Sequence, residues 1–61
     1  MTYPTFTAAA KATGKRLDDS QWRACADADR DPLCGALTLM LRKGRIEMGR
    51  TMAGVTVRVV R

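Results

Sequence analysis

The sequence predicts a small α+β domain: an N-terminal extended arm, three short helices and a C-terminal antiparallel β-hairpin. Three observations carry this reading. Asp18 followed by Gln21 is a capping-box pattern that opens a helix. Leu33, Ala36, Leu37, Met40 and Leu41 recur at three- and four-residue intervals, the spacing of one helix face. Residues 45–61 then alternate apolar with polar side chains, the period of a strand. At 61 residues the chain is one domain at most. A domain this small buries only about 60% of the surface its unfolded chain exposes. Help from a partner or a second copy of the chain is therefore expected.

The arm is residues 2–7, in which Thr alternates with Tyr3, Pro4 and Phe6. Pro4 cannot donate to a sheet ladder, so the arm is read as extended or as an edge strand, with Phe6 on the core. Thr7 is the expected N-cap of a first helix over residues 8–13, which are good helix formers. Gly14 ends it. So short a helix needs support from Phe6 or the next helix.

The second helix is placed at residues 17–29. Asp18 is its N-cap, Leu17 and Trp22 form a hydrophobic staple, and Asp19 suits the N-terminal dipole. Trp22, Cys25 and Ala26 are its expected buried stripe. Asp27, Asp29 and Asp31 crowd its end, where negative charge opposes the dipole, so fraying is expected near Asp29.

The third helix spans residues 31–43. Asp31 caps it, Pro32 takes the first helical position, Arg42 and Lys43 fall in the last turn, and Gly44 stops it. Leu39 lies off its apolar stripe, as an exposed leucine or part of a second surface.

The hairpin, residues 45–61, admits a register argument. With a loop at 51–54 and Gly54 in a left-handed conformation, Arg50 pairs with Val55, Met48 with Val57 and Ile46 with Val59. Glu47 then faces Arg58, and the apolar residues share one face, ready to cover the third helix. A one-residue shift would set Met48 against Arg58. An isolated hairpin is marginal, so a third strand is expected from the N-terminal arm or a second copy.

Composition excludes much chemistry. The chain has no histidine and one serine, Ser20, in the first turn of a helix, so no catalytic residue is assigned. Cys25 and Cys34 stand nine positions apart without a Cys-x-x-Cys, so no metal site and no cofactor is expected. Whether the two cysteines pair is left open. The acidic cluster lacks the glycine and glutamate spacing of a calcium loop. The first residues lack a secretory pattern and no apolar run reaches a membrane span, so a cytoplasmic chain without a membrane role is expected.

Charge carries the only functional signal. The net charge is +5 and the isoelectric point about 10.0, which favours an acidic partner. Every acidic residue but Glu47 lies between Asp18 and Asp31. The expected contact residues are Arg42, Lys43, Arg45, Arg50 and Arg58, with a second patch of Lys11, Lys15, Arg16 and Arg23. No aromatic is interleaved with the hairpin arginines, so contact with a duplex is expected over single-strand stacking.

Ala9-Ala10-Lys11-Ala12-Thr13-Gly14, followed by Leu17, Trp22 and Cys25, resembles the first helix and turn of helix-turn-helix DNA-binding domains. The resemblance covers about a third of the chain and implies reading residues at Ser20, Gln21 and Arg23. The turn is about two residues longer than the family's, and Asp18 and Asp19 carry the wrong sign for phosphate. The order helix, helix, helix, hairpin resembles the winged variant, with residues 45–61 as the wing.

Two functions compete on the sequence. The first is non-catalytic binding of nucleic acid, DNA above all, through the basic hairpin and the end of the third helix. The second is a small inhibitor that blocks a host protein complex, of the kind phages and mobile elements encode, with anti-CRISPR proteins as the example class. There the partner is an acidic or nucleic-acid-binding host protein. A homodimer is the remaining option.

Overall fold

In a computed structural model that describes every residue except Lys15, Pro32, Cys34 and Arg61, the chain runs β1 (Thr2–Tyr3), α1 (Phe6–Thr13), α2 (Asp19–Arg30), β2 (Ala36–Leu41), β3 (Gly44–Thr51) and β4 (Gly54–Val60). The four strands form one antiparallel sheet in the order β1-β4-β3-β2. Both helices pack on one face of it.

The expected third helix and the winged order are corrected here: among the described residues there are two helices, and residues 36–41 are a strand. The reason lies in the leucines. Leu37, Leu39 and Leu41 alternate with Ala36, Thr38 and Met40, so a strand puts all three leucines on one face. A helix would leave Leu39 outside. In the structure Leu39 is 3% exposed, whereas Leu33 and Met40, two members of the supposed helical stripe, are 90% and 65% exposed. A period of 2 and a period of 3.6 both fit so short an apolar run; the bare edge of the following hairpin decides between them, because β2 completes its ladder. Arg42 and Lys43 become a two-residue turn closed by the Leu41–Gly44 pair. Pro32, the expected first helical residue, lies outside the described residues.

The hairpin register agrees with the expectation pair for pair: Ile46 with Val59, Glu47 with Arg58, Met48 with Val57 and Arg50 with Val55. Thr51 also pairs with Gly54, so the loop narrows to Met52 and Ala53. Gly54 has φ +134°, and a Cβ there would meet the Tyr3 carbonyl oxygen at 2.6 Å and Thr2 Cγ2 at 2.8 Å. Only glycine allows the arm to come this close. The arm supplies one expected extra strand: Thr2 pairs with Thr56 and Tyr3 with Val55.

Helix α1 begins earlier than expected. Thr5, not Thr7, is the N-cap, its hydroxyl accepting the Ala8 N–H at 3.1 Å. Thr7 is the second residue of the helix, and its hydroxyl donates to Asp29 Oδ2 at 2.8 Å. Gly14 closes the helix, its N–H donating to the Ala10 carbonyl at 3.3 Å. The capping box of α2 is present: the Gln21 N–H donates to Asp18 Oδ1 at 2.8 Å and the Asp18 N–H to Gln21 Oε1 at 2.9 Å.

The core is one cluster. Phe6, Ala9, Ala10, Leu17, Cys25 and Ala28 meet Leu39, Ile46, Met48 and Val55. Small helix residues against large strand residues bring the two layers close. The stripe of α2 is therefore Cys25 and Ala28, with Trp22 partly buried beside it, and not Ala26. Burial falls along β4, from Val55 fully buried to Val59 at 59% exposed. Val59 keeps its expected face, but the helix meant to cover it does not exist.

Candidate functional site

The outer face of the sheet is uncovered. Alternation from the buried residues places Thr38 and Met40 of β2, Arg45, Glu47 and Gly49 of β3, and Thr56, Arg58 and Val60 of β4 on it. It carries no aromatic side chain from these strands. Glu47 stands between two cations: its carboxylate is 3.3 Å from Arg45 along the strand, and Arg58 is its cross-strand partner. The Arg45–Glu47 pair is exposed and adds little stability. A shallow hollow of about 360 Å³ runs between Thr38, Glu47, Thr56 and Arg58 over the missing side chain of Gly49.

The turn between β2 and β3 exposes Arg42 and Lys43. The linker into α2 brings Arg16 to the same end of the molecule, because the Gln21 side-chain amide donates to the Met40 carbonyl and holds the start of α2 against the end of β2. Arg16, Arg42 and Lys43 line one open cleft of about 580 Å³, with Leu41 as its apolar wall. A second hollow of about 350 Å³ joins Arg42 to Arg45 and Val60 on the outer face. The structure thus unites four arginine and lysine positions that the sequence scatters over two patches.

Arg50 does not join them. It lies on the inner face of β3, with its guanidinium 5.1 Å above the centre of the Phe6 ring. Its Nη2 donates to the Ala28 carbonyl at 3.4 Å, near the C-terminal end of α2. A cation over an aromatic ring and beside a helix C-terminus is favourable on both counts. Lys11 and Arg23 are exposed on α1 and α2, apart from the cleft lining. Lys15 lies outside the described residues.

The carboxylates have structural work. Asp18 caps α2. Asp31 accepts the Leu33 N–H at 2.9 Å. Asp29 accepts from the Phe6 N–H at 2.6 Å and the Thr7 N–H at 3.3 Å, as well as from the Thr7 hydroxyl. Helix α2 ends at Arg30, one residue past the expected Asp29. The positive end of α1 compensates the charge that its own helix end disfavours. Among the described residues no three His, Cys, Asp or Glu side chains come together.

Cys25 is a free, fully buried thiol. Burial, and then the nearby Asp29 carboxylate, push its pKa above the ordinary value, so it is held as the unreactive thiol at neutral pH. Cys34 lies outside the described residues. No helix among the described residues is long and apolar enough to cross a membrane.

Comparison of the chain with protein-family models, curated proteins and solved structures returns no match.

Proposed function

We propose that the chain is a non-catalytic binding domain that takes duplex nucleic acid, with the β2–β3 turn at the major groove and its flanking phosphates and the outer sheet face along the backbone. One observation carries the reading: Arg16, Arg42 and Lys43, from two distant segments, line a single cleft with no acidic side chain among the described residues of its wall. Arg45 and Arg58 extend positive charge onto the outer face, with Glu47 between them and Met40 exposed beside them. The tip of the β2–β3 hairpin, which carries Arg42 and Lys43, suits a major groove about 12 Å wide, with the sheet behind it lying along the phosphate backbone. The absence of aromatics from this face favours a duplex over stacked single strands. The end of a third helix, expected as a contact, is replaced in this reading by the turn.

The test is duplex affinity across a salt series, by fluorescence anisotropy. Three to five phosphate contacts give a slope of log K against log salt of about −2.7 to −4.5, a loss of about 40- to 500-fold between about 50 and 200 mM salt. Alanine at both Arg42 and Lys43 should reduce that slope by about 1.8. No binding at low salt ends the reading. A stoichiometric protein partner captured under nuclease treatment, with no duplex binding, would support the inhibitor reading in its place.

A further inference from the structure

Strand β2 has β3 on one side and, among the described residues, no strand on the other. It is six residues long and reads Ala-Leu-Thr-Leu-Met-Leu, without charge or proline. A strand edge that is open at its centre, here at Thr38, is a template for another strand, and proteins usually blunt such edges with charge, proline or brevity. None of these devices is present. The two-residue turn after Leu41, and the Arg50 N–H donating to the Gly35 carbonyl at 3.0 Å, orient the main chain of Leu37, Leu39 and Leu41 towards β3. The main-chain groups of Thr38 and Met40 therefore face outwards. One of them, the Met40 carbonyl, takes a hydrogen from the Gln21 side chain and keeps a second lone pair.

The two ends of this edge carry opposite charge. At the turn end stand Arg16, Arg42 and Lys43, which outnumber Asp18 and Asp19 at the start of α2. At the other end a slot of about 340 Å³ lies between α2 and β2, floored by Ala24, Ala28 and Leu37. Among the described residues its charged lining is Asp27 and Asp31. An edge that is positive at one end and negative at the other complements itself under a two-fold axis, because an antiparallel copy presents the same charges in reverse order. Phosphate would be repelled by the slot, and a uniformly acidic or basic peptide by one end or the other. A second copy satisfies both ends.

We propose that β2 pairs antiparallel with β2 of a second copy, joining two sheets into one, with the axis at Leu39 and Arg42 of each copy set against Asp27 and Asp31 of the other. In this register Thr38 pairs with Met40 of the other copy. Arg42 lies level with Ala36 of that copy; as a turn residue it is released from the strand's alternation, and its long side chain is set towards the slot beside Leu37. The exposed Met40 side chain gains a neighbour on the outer face. This pairing stands independently of nucleic-acid binding, and Arg42 is the side chain that both surfaces use.

The test is sedimentation without nucleic acid, from about 10 μM to about 1 mM protein. The expected mass rises with concentration from 6.7 kDa towards twice that value. Thr38→Pro should hold the chain at the monomer mass, because the Thr38 N–H faces the open edge and a proline there removes no bond to β3. Its far-UV spectrum should match that of the parent. Asp27→Arg and Arg42→Asp, both at exposed positions, should each weaken association about tenfold, and the double variant should recover most of that loss. A monomer at every concentration overturns the proposal. So does a dimer indifferent to Thr38→Pro, a charge swap that fails to rescue, or an oligomer that forms only when duplex is added.

Discussion

Asp29 stands at a helix end that disfavours it, and the structure makes it a cap for a different helix. Its carboxylate accepts from two main-chain N–H groups and one hydroxyl at the start of α1. Charge-assisted bonds of this kind contribute more than neutral ones. Asp29→Ala should destabilise the fold by about 2 kcal/mol, because the N–H of Phe6 loses its partner at a part-buried site. Chemical denaturation measures this, and Asp29→Asn should retain about half. The arginines divide in the same way. Arg50 covers Phe6 and bonds Ala28, so Arg50→Ala should cost about 1–2 kcal/mol through lost packing and the lost ring contact. Arg42 is exposed, so Arg42→Ala should leave stability within about 0.5 kcal/mol. It should lower the salt slope for duplex binding by about 0.9. Stability and affinity measured on the same two variants would separate them; equal effects on both properties would contradict this assignment. The local sequence distinguishes these two arginines by strand parity alone. Arg50 shares the inward parity of Ile46 and Met48, and that parity was the available signal.

At the scale of elements, the segment 36–41 is where local pattern and tertiary pairing part. Its apolar residues fit a helix face, with favourable charges at both ends of the supposed helix. The hairpin that follows needs a partner strand, and the alternation of Leu37, Leu39 and Leu41 supplies one. The two assignments make opposite predictions. As a strand, β2 buries Leu39 and leaves Leu33 in solvent, so Leu39→Ala should cost about 2–4 kcal/mol. Leu33→Ala should change stability by less than about 0.5 kcal/mol. A helix would reverse the order. Thermal or urea unfolding of the two variants decides it. The capping box of α2 and the register of the hairpin are, by contrast, legible without the fold. Both depend on residues close in sequence, three apart in the first and facing across a short loop in the second.

At the scale of the molecule, two helices lie on one sheet and share a single apolar cluster. The radius of gyration is 10.4 Å, close to the ~10.5 Å expected of a folded chain of this length. A single core predicts a single transition. Trp22, packed against the cluster, should report unfolding by fluorescence at the same denaturant concentration as far-UV ellipticity reports loss of helix and sheet. Two separated midpoints would indicate that the helical layer and the sheet unfold independently. The sequence by itself determined the starts of the first two helices to within two residues, the pairing of the last two strands, the inward face of the hairpin and the excess of positive charge. These follow from short-range rules: caps, turn geometry and side-chain parity. Only the tertiary structure decided that residues 36–41 are a strand, that Asp29 caps α1, that Arg50 is folded inward, and that Arg16 meets Arg42 and Lys43. Each of those depends on contacts between segments far apart in the chain, where the free energy of packing and of completing a hydrogen-bond ladder outweighs the local preference.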